Sequence, residues 1–328
     1  MTDTPVATRH ERWRLPHVGG RETVLVGAIV LAGTLFASLS PYFLSANNLE
    51  QILRNSIDLA VVSAGMTLVI IMGGIDVSVG GILAVSAIFI GRSYQIGLPE
   101  WLVVPIGLAV GTLLGALNGT VVSRLKVPPI IATLGTMYIF LAILFLVIGG
   151  RWIAGLPGTL SPLISGSVAG VPAALLVIFG IYGLCWVCLH QLPYGRHLYA
   201  IGSSENAARL SGIAVDRTKI MTYAFLGLLA GFAALLYVAR LRNVEINIGT
   251  NIALEAIAAT ILGGTSIRGG IGSLSGTLLG VIFIKMIQNG LVLIGVSSLW
   301  ETVIIGSLLM LVLIVDALRP QHGGRRLT

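Results

Sequence analysis

The chain has 328 residues, 55% of them apolar and only 10% charged, with a formal net charge of +7. That ratio lies far outside the range of water-soluble domains, and no polar stretch is long enough for a separate soluble catalytic domain. The basic excess sits at the ends of apolar runs, as membrane topology requires, so nucleic acid is not an expected partner.

Residues 1–22 form a polar leader with Arg9, Arg12, Arg14 and Arg21. The leader is longer than a secretory signal's basic region and no small-residue cleavage site follows, so the first apolar run is expected to be retained. Ten apolar runs follow, at 23–40, 57–73, 80–96, 101–122, 130–149, 171–190, 220–239, 252–264, 273–294 and 299–317. A bilayer core of about 30 Å takes roughly 20 residues of helix, and backbone polar groups in lipid must be bonded within the segment. The expected fold is therefore an all-α polytopic transmembrane bundle of about ten spans. Pro41, Pro99, Pro128, Pro129, Pro172 and Pro193 fall near span ends, where a missing N–H costs least.

With the N-terminus in the cytoplasm, fourteen Lys and Arg residues fall inside and five (Arg54, Arg92, Arg151, Arg240, Arg242) outside. That bias places both termini in the cytoplasm. The expected organisation is a cytoplasmic leader at 1–22, a membrane domain at 23–317 with a cytoplasmic loop at 191–219, and a cytoplasmic tail at 318–328.

The third run is entered through Gly73-Gly74-Ile75-Asp76-Val77-Ser78-Val79-Gly80-Gly81. Asp76 either faces a partner or a watery cavity, or caps the helix beginning near Ser78. The eighth run is short, carries Glu255, and leads into Gly263-Gly264-Thr265-Ser266-Ile267-Arg268-Gly269-Gly270. Short, Gly-interrupted spans of this kind mark transport paths. Glu255, Asn118, Gln288 and Asn289 either hold helices together or line a pore. Lys285, in mid-span, calls for a carboxylate partner that the sequence does not name. Gly107, Gly111, Gly115 and Gly119 line one helix face, as do Gly272, Gly276 and Gly280, while Gly227 pairs with Gly231. Such stripes serve static close packing, a moving surface or a dimer seam. Cys185 and Cys188 lie in an apolar run and read as small packing residues.

The loop 191–219 contains a short helix at 205–211. Ser204 is a suitable N-cap, Glu205 suits the positive helix end, and Gly212 is a natural stop. Ala207 and Ala208 form a shallow face, and Arg209 offers a charge. Two turns are not stable alone. The helix needs a surface, either the protein's own underside and lipid headgroups or a partner's groove.

The only lysines are Lys126, Lys219 and Lys285, and none completes a phosphate-binding G-x-x-x-x-G-K-[ST] loop. No metalloprotease helix motif or serine-hydrolase elbow is present either. The chain is not expected to be an enzyme. Uphill transport would draw on an ion gradient or on a second protein.

Three segments, 72–84, 194–213 and 255–273, together resemble the permeases of ribose-type, binding-protein-dependent ABC importers, with likeness over roughly residues 22–317. The resemblance implies a dimeric permease, with the same or a sister chain, in the lipid of a bacterial inner membrane. It implies a cytoplasmic ABC ATPase, carrying ATP and Mg in trans, that grips Ser204, Glu205, Asn206, Ala207, Ala208, Arg209, Leu210 and Gly212. This chain itself would bind no cofactor. A periplasmic sugar-binding protein would deliver a pentose, hexose, deoxysugar or autoinducer-2 near 41–56, 149–170 and 240–252. Asp76, Ser78, Asn118, Glu255 and Asn289 are the candidates for lining the path. A proton- or sodium-coupled sugar transporter is the competing reading, and it would require paired carboxylates or His relays in mid-membrane.

Overall fold

The computed structural model describes residues 20–297 and positions 300, 303, 304, 306, 307 and 310. The leader through residue 19, most of the expected tenth span and the tail 318–328 lie outside the described residues. In chain order the helices are α1 (Gly20–Leu39), α2 (Ala46–Ile71), α3 (Val79–Gln95), α4 (Glu100–Ser123), α5 (Pro129–Ile148), α6 (Pro162–Ser165), α7 (Ala173–His190), α8 (Pro193–Ser203), α9 (Glu205–Leu210), α10 (Val215–Leu241), α11 (Ile252–Leu262) and α12 (Leu274–Leu293). A two-residue hairpin, β1 (Ser167–Val168) and β2 (Val171–Pro172), precedes α7. The chain is thus an all-α polytopic bundle.

Seven of these helices (α1, α2, α4, α5, α7, α10 and α12) are long and apolar enough to cross a membrane. α3 has 17 residues and α11 only 11. At about 1.5 Å per residue, α11 falls well short of a hydrocarbon core. Its expected continuation through Gly263 and Gly264 is non-helical, because Gly264 adopts φ +96°.

α2 begins at Ala46 rather than near 57, because Ser45 caps it: the Ser45 hydroxyl accepts from the Asn48 N–H at 3.3 Å. Every residue of α2 from Ser56 to Ile71 is buried, so α2 is the central helix. α1, α5 and α7 expose apolar side chains such as Leu31, Leu146 and Phe179, as helices facing lipid should.

The glycine stripe of α4 is spent inside the chain. A Cβ at Gly111 would collide with the Gly227 carbonyl of α10, and one at Gly115 with the Tyr223 carbonyl. Gly276 and Gly280 of α12 approach the backbone of Gly263 and Ala259 in the same way. These seams are intramolecular, so neither stripe serves as a dimer seam.

The two ends of the bundle differ. At one end, Gly270 N–H donates to the Ile71 carbonyl at 2.8 Å and the Tyr199 hydroxyl to the Gly272 carbonyl at 3.3 Å. This gathers the turn after α2, α8 and the segment 263–273. At the other end, Arg92 donates to the Val147 carbonyl at 2.6 Å, Ile153 bridges Val244, and Arg242 donates to the Leu156 carbonyl at 3.2 Å.

Candidate translocation cavity

α2, α3, α10, α11 and α12, with the segment 247–251, surround a cavity of about 740 Å³. Its mouth lies at the second end, where Gln51, Asn247 and Asn251 are exposed. Leu59 and Leu83 line its apolar part. The walls carry two ion pairs. Lys285 Nζ lies 2.8 Å from Glu255 Oε2, and Gln288 Nε2 donates to Glu255 Oε1 at 3.0 Å. Arg240 is paired with the buried Asp58 and also donates to Asn55 Oδ1 at 2.9 Å. Each acidic group of the cavity wall thus faces its own cation. Buried charges persist only when compensated in this way.

The five residues expected on the path divide. Glu255 and Asn289 line the cavity. Asn289 also holds α12 to α2 through two reciprocal side-chain bonds with Asn48, each 2.9 Å. Asp76, Ser78 and Asn118 are fully buried elsewhere, and none of them lines the cavity. Asp76 Oδ1 accepts from the Ser78 N–H at 2.8 Å and the Ser78 hydroxyl at 2.6 Å, while Asn118 Nδ2 donates to Asp76 Oδ2 at 3.2 Å. The carboxylate therefore fixes the turn that starts α3 and pins it to α4. These bonds fit the local structural role that the sequence offered for Asp76, at the turn just before Ser78.

Asp58, Arg240 and Asn55 were not anticipated from sequence. Arg240 counted only as an outside charge, and Asp58 and Asn55 were not singled out. The available signal was a carboxylate just inside an apolar run, which in lipid demands a partner.

At the opposite end lies the loop helix. α9 forms at 205–210, and the Ser204 hydroxyl accepts from the Ala207 N–H at 3.3 Å. Gly212 takes φ +82°, which ends the helix. Lys219 Nζ contacts Glu205 Oε2 at 2.6 Å, and Arg209 bridges Glu205 at 3.2 Å and Asp216 at 2.9 Å. The hydrogen bond from Lys219, with Arg209 beside it, holds the Glu205 carboxyl below the usual range. These contacts fasten α9 to the first turns of α10. Ala208, half of the shallow face expected with Ala207, is buried at 3% exposure, whereas Leu210 is 90% exposed. Asn206 and Ala207 are exposed beside it. An i,i+3 relation puts Ala207 and Leu210 on one face, while Ala208 turns toward the protein.

Among the described residues no group of three or more His, Cys, Asp or Glu could hold a metal ion. Cys185 and Cys188 are free thiols.

A family profile described as "Branched-chain amino acid transport system / permease component" matches residues 48–313. The chain is 38% identical over 319 residues to the ribose import permease protein of Bacillus subtilis (strain 168), covering 96% of this chain and 98% of that one. It is 36% identical over 299 residues to the ribose import permease protein of Escherichia coli (strain K12), covering 89% and 92%. It is also 36% identical over 297 residues to the autoinducer 2 import system permease protein of Klebsiella pneumoniae, covering 90% and 86%. No solved structure matches the chain. Because the profile covers most of the sequence and the likeness to these relatives is nearly end to end, the chain belongs to this permease family: it is the membrane-spanning subunit of an ABC importer, not an enzyme.

Proposed function

We propose that the chain forms the conduit by which a neutral monosaccharide of the ribose class crosses the bacterial inner membrane. The cavity carries the reading. Its volume of about 740 Å³ lies within the ~300–1,000 Å³ usual for small-molecule sites, and its walls offer both donors and acceptors. Sugar would arrive from a periplasmic binding protein at the end where the mouth opens. A separate ATPase, carrying ATP and Mg, would grip α9 at the other end through the exposed face around Leu210. A second permease subunit would complete the path.

Ten spans with both termini in the cytoplasm accommodate this arrangement. The contacts at the two bundle ends support it, because α3 and α11 run between those ends although each is short. The loops at 73–78, 191–219 and 263–273 then share the cytoplasmic side with α9.

Autoinducer-2 is the second reading. A relative of that name is 36% identical, and its furanose-like polyol would meet the same donors and acceptors. An ion-coupled mechanism has less support: the acidic groups in the cavity, Asp58 and Glu255, are each paired with a cation. In proteoliposomes holding the chain with its ATPase and binding protein, labelled ribose should accumulate only with ATP, and an uncoupler should leave uptake intact. Gradient-driven uptake by this chain alone would overturn the proposal.

A further inference from the structure

A second cavity of about 520 Å³ lies beside the first, between the N-terminal turns of α2, the short α6 and the end of α10. Gln51, Asn55 and Arg240 line both cavities, so these side chains are the wall between them. Behind the wall stands Asp58, whose side chain is 7% exposed. The wall holds polar groups that are not satisfied. Asp58 Oδ1 and Arg240 Nε are both buried without a hydrogen-bond partner, although the two side chains already share one contact. A spare acceptor and a spare donor therefore lie in, or just behind, the wall that the two cavities share. Buried polar atoms left this way are costly, and an incoming group that satisfies them recovers that cost.

We propose that Asn55, Asp58 and Arg240 form a hydroxyl-recognising subsite that selects neutral sugars bearing a vicinal diol. One hydroxyl donates to Asp58 Oδ1 and its neighbour accepts from Arg240 Nε, while Asn55 orients the guanidinium through Oδ1. Both hydroxyls reach these atoms when Arg240 shifts in the wall. A sugar acid or sugar phosphate is disfavoured, because it would compete with Asp58 for Arg240 and leave a buried charge uncompensated. Sites built to bond a hydroxyl strongly reject analogues that lack it.

The proposal rests on the sugar-import reading, and its test separates the two. Ribose and 2,3-dideoxyribose, whose ring forms have no vicinal diol, are each delivered by binding protein at saturating occupancy to proteoliposomes holding the complete importer with ATP. The unaltered chain should transport ribose at least about tenfold faster. Asn55→Ala, which keeps the Asp58–Arg240 pair, and Asp58→Asn should bring the two sugars within about twofold of each other. If Asp58→Asn fails to assemble, Asn55→Ala carries the test. An unchanged preference in a transporting variant, or no preference in the unaltered chain, overturns the subsite and leaves the import reading standing. Absence of ATP-driven uptake of either sugar by the unaltered chain removes the import reading and the subsite with it.

Discussion

Lys285→Met should destabilise the folded bundle by about 3–5 kcal/mol, the usual cost of leaving one member of a buried pair alone. The side chains of Glu255 and Lys285 are only 10% and 17% exposed, so solvent screens the pair weakly. With the ammonium gone, Glu255 keeps one bond from Gln288 and loses its only cation partner. The double variant Lys285→Met/Glu255→Leu should recover most of the loss, since an apolar pair of similar volume needs no compensation. Unfolding midpoints in mixed micelles, followed by helical circular dichroism, measure both. A single variant within about 1 kcal/mol of the parent, or a double variant no better than the single, would show that the pair does not hold α11 to α12.

Gly111→Leu should be at least as damaging, costing upward of about 3 kcal/mol, because the obstacle is backbone rather than a side chain that can swing away. A Cβ there would meet the Gly227 carbonyl and, at 2.9 Å, the Gly231 Cα. α4 and α10 would have to separate along a seam that runs from Gly107 to Gly119 and carries Tyr223 toward the Asp76 turn. Gly135→Leu in α5 is the control. Nothing lies within 4 Å of a Cβ there, so this change should be neutral or slightly favourable from helix propensity. The yield of monodisperse protein on size-exclusion chromatography reads the difference. Equal yields from both variants would mean that the α4–α10 seam tolerates separation.

Much of this architecture could be read from the residues themselves. Long apolar runs in lipid have one solution, so the helical bundle followed from composition and run length. The Ser204 cap and the Gly212 stop bounded α9 to within a residue, because capping chemistry is local. Glycine repeats announced close approach without saying what approached: only the fold shows that Gly111 meets Gly227 and not a second chain. The cavity was hardest to foresee. Asp58 and Arg240 lie 182 positions apart, and Asn48 and Asn289 lie 241 apart. Nothing in local periodicity couples such residues. Asp76 attracted attention as a carboxylate in an apolar setting, but a neighbouring serine and a facing asparagine satisfy it. Ala207 and Ala208 formed one shallow face in the sequence, but in a helix of 6 residues the face that packs inward is set by the groove beneath it, not by composition.

Import of this kind needs the cavity mouth and the docking foot at opposite membrane faces. With Cys185 and Cys188 replaced by Ala, single cysteines at Leu210 and Asn251 can be probed with a membrane-impermeant thiol reagent in right-side-out and inverted vesicles. Position 210 should be labelled only in inverted vesicles and position 251 only in right-side-out ones. Labelling of both positions from the same face would contradict the account, because α9 would then lie where no cytoplasmic ATPase could reach it.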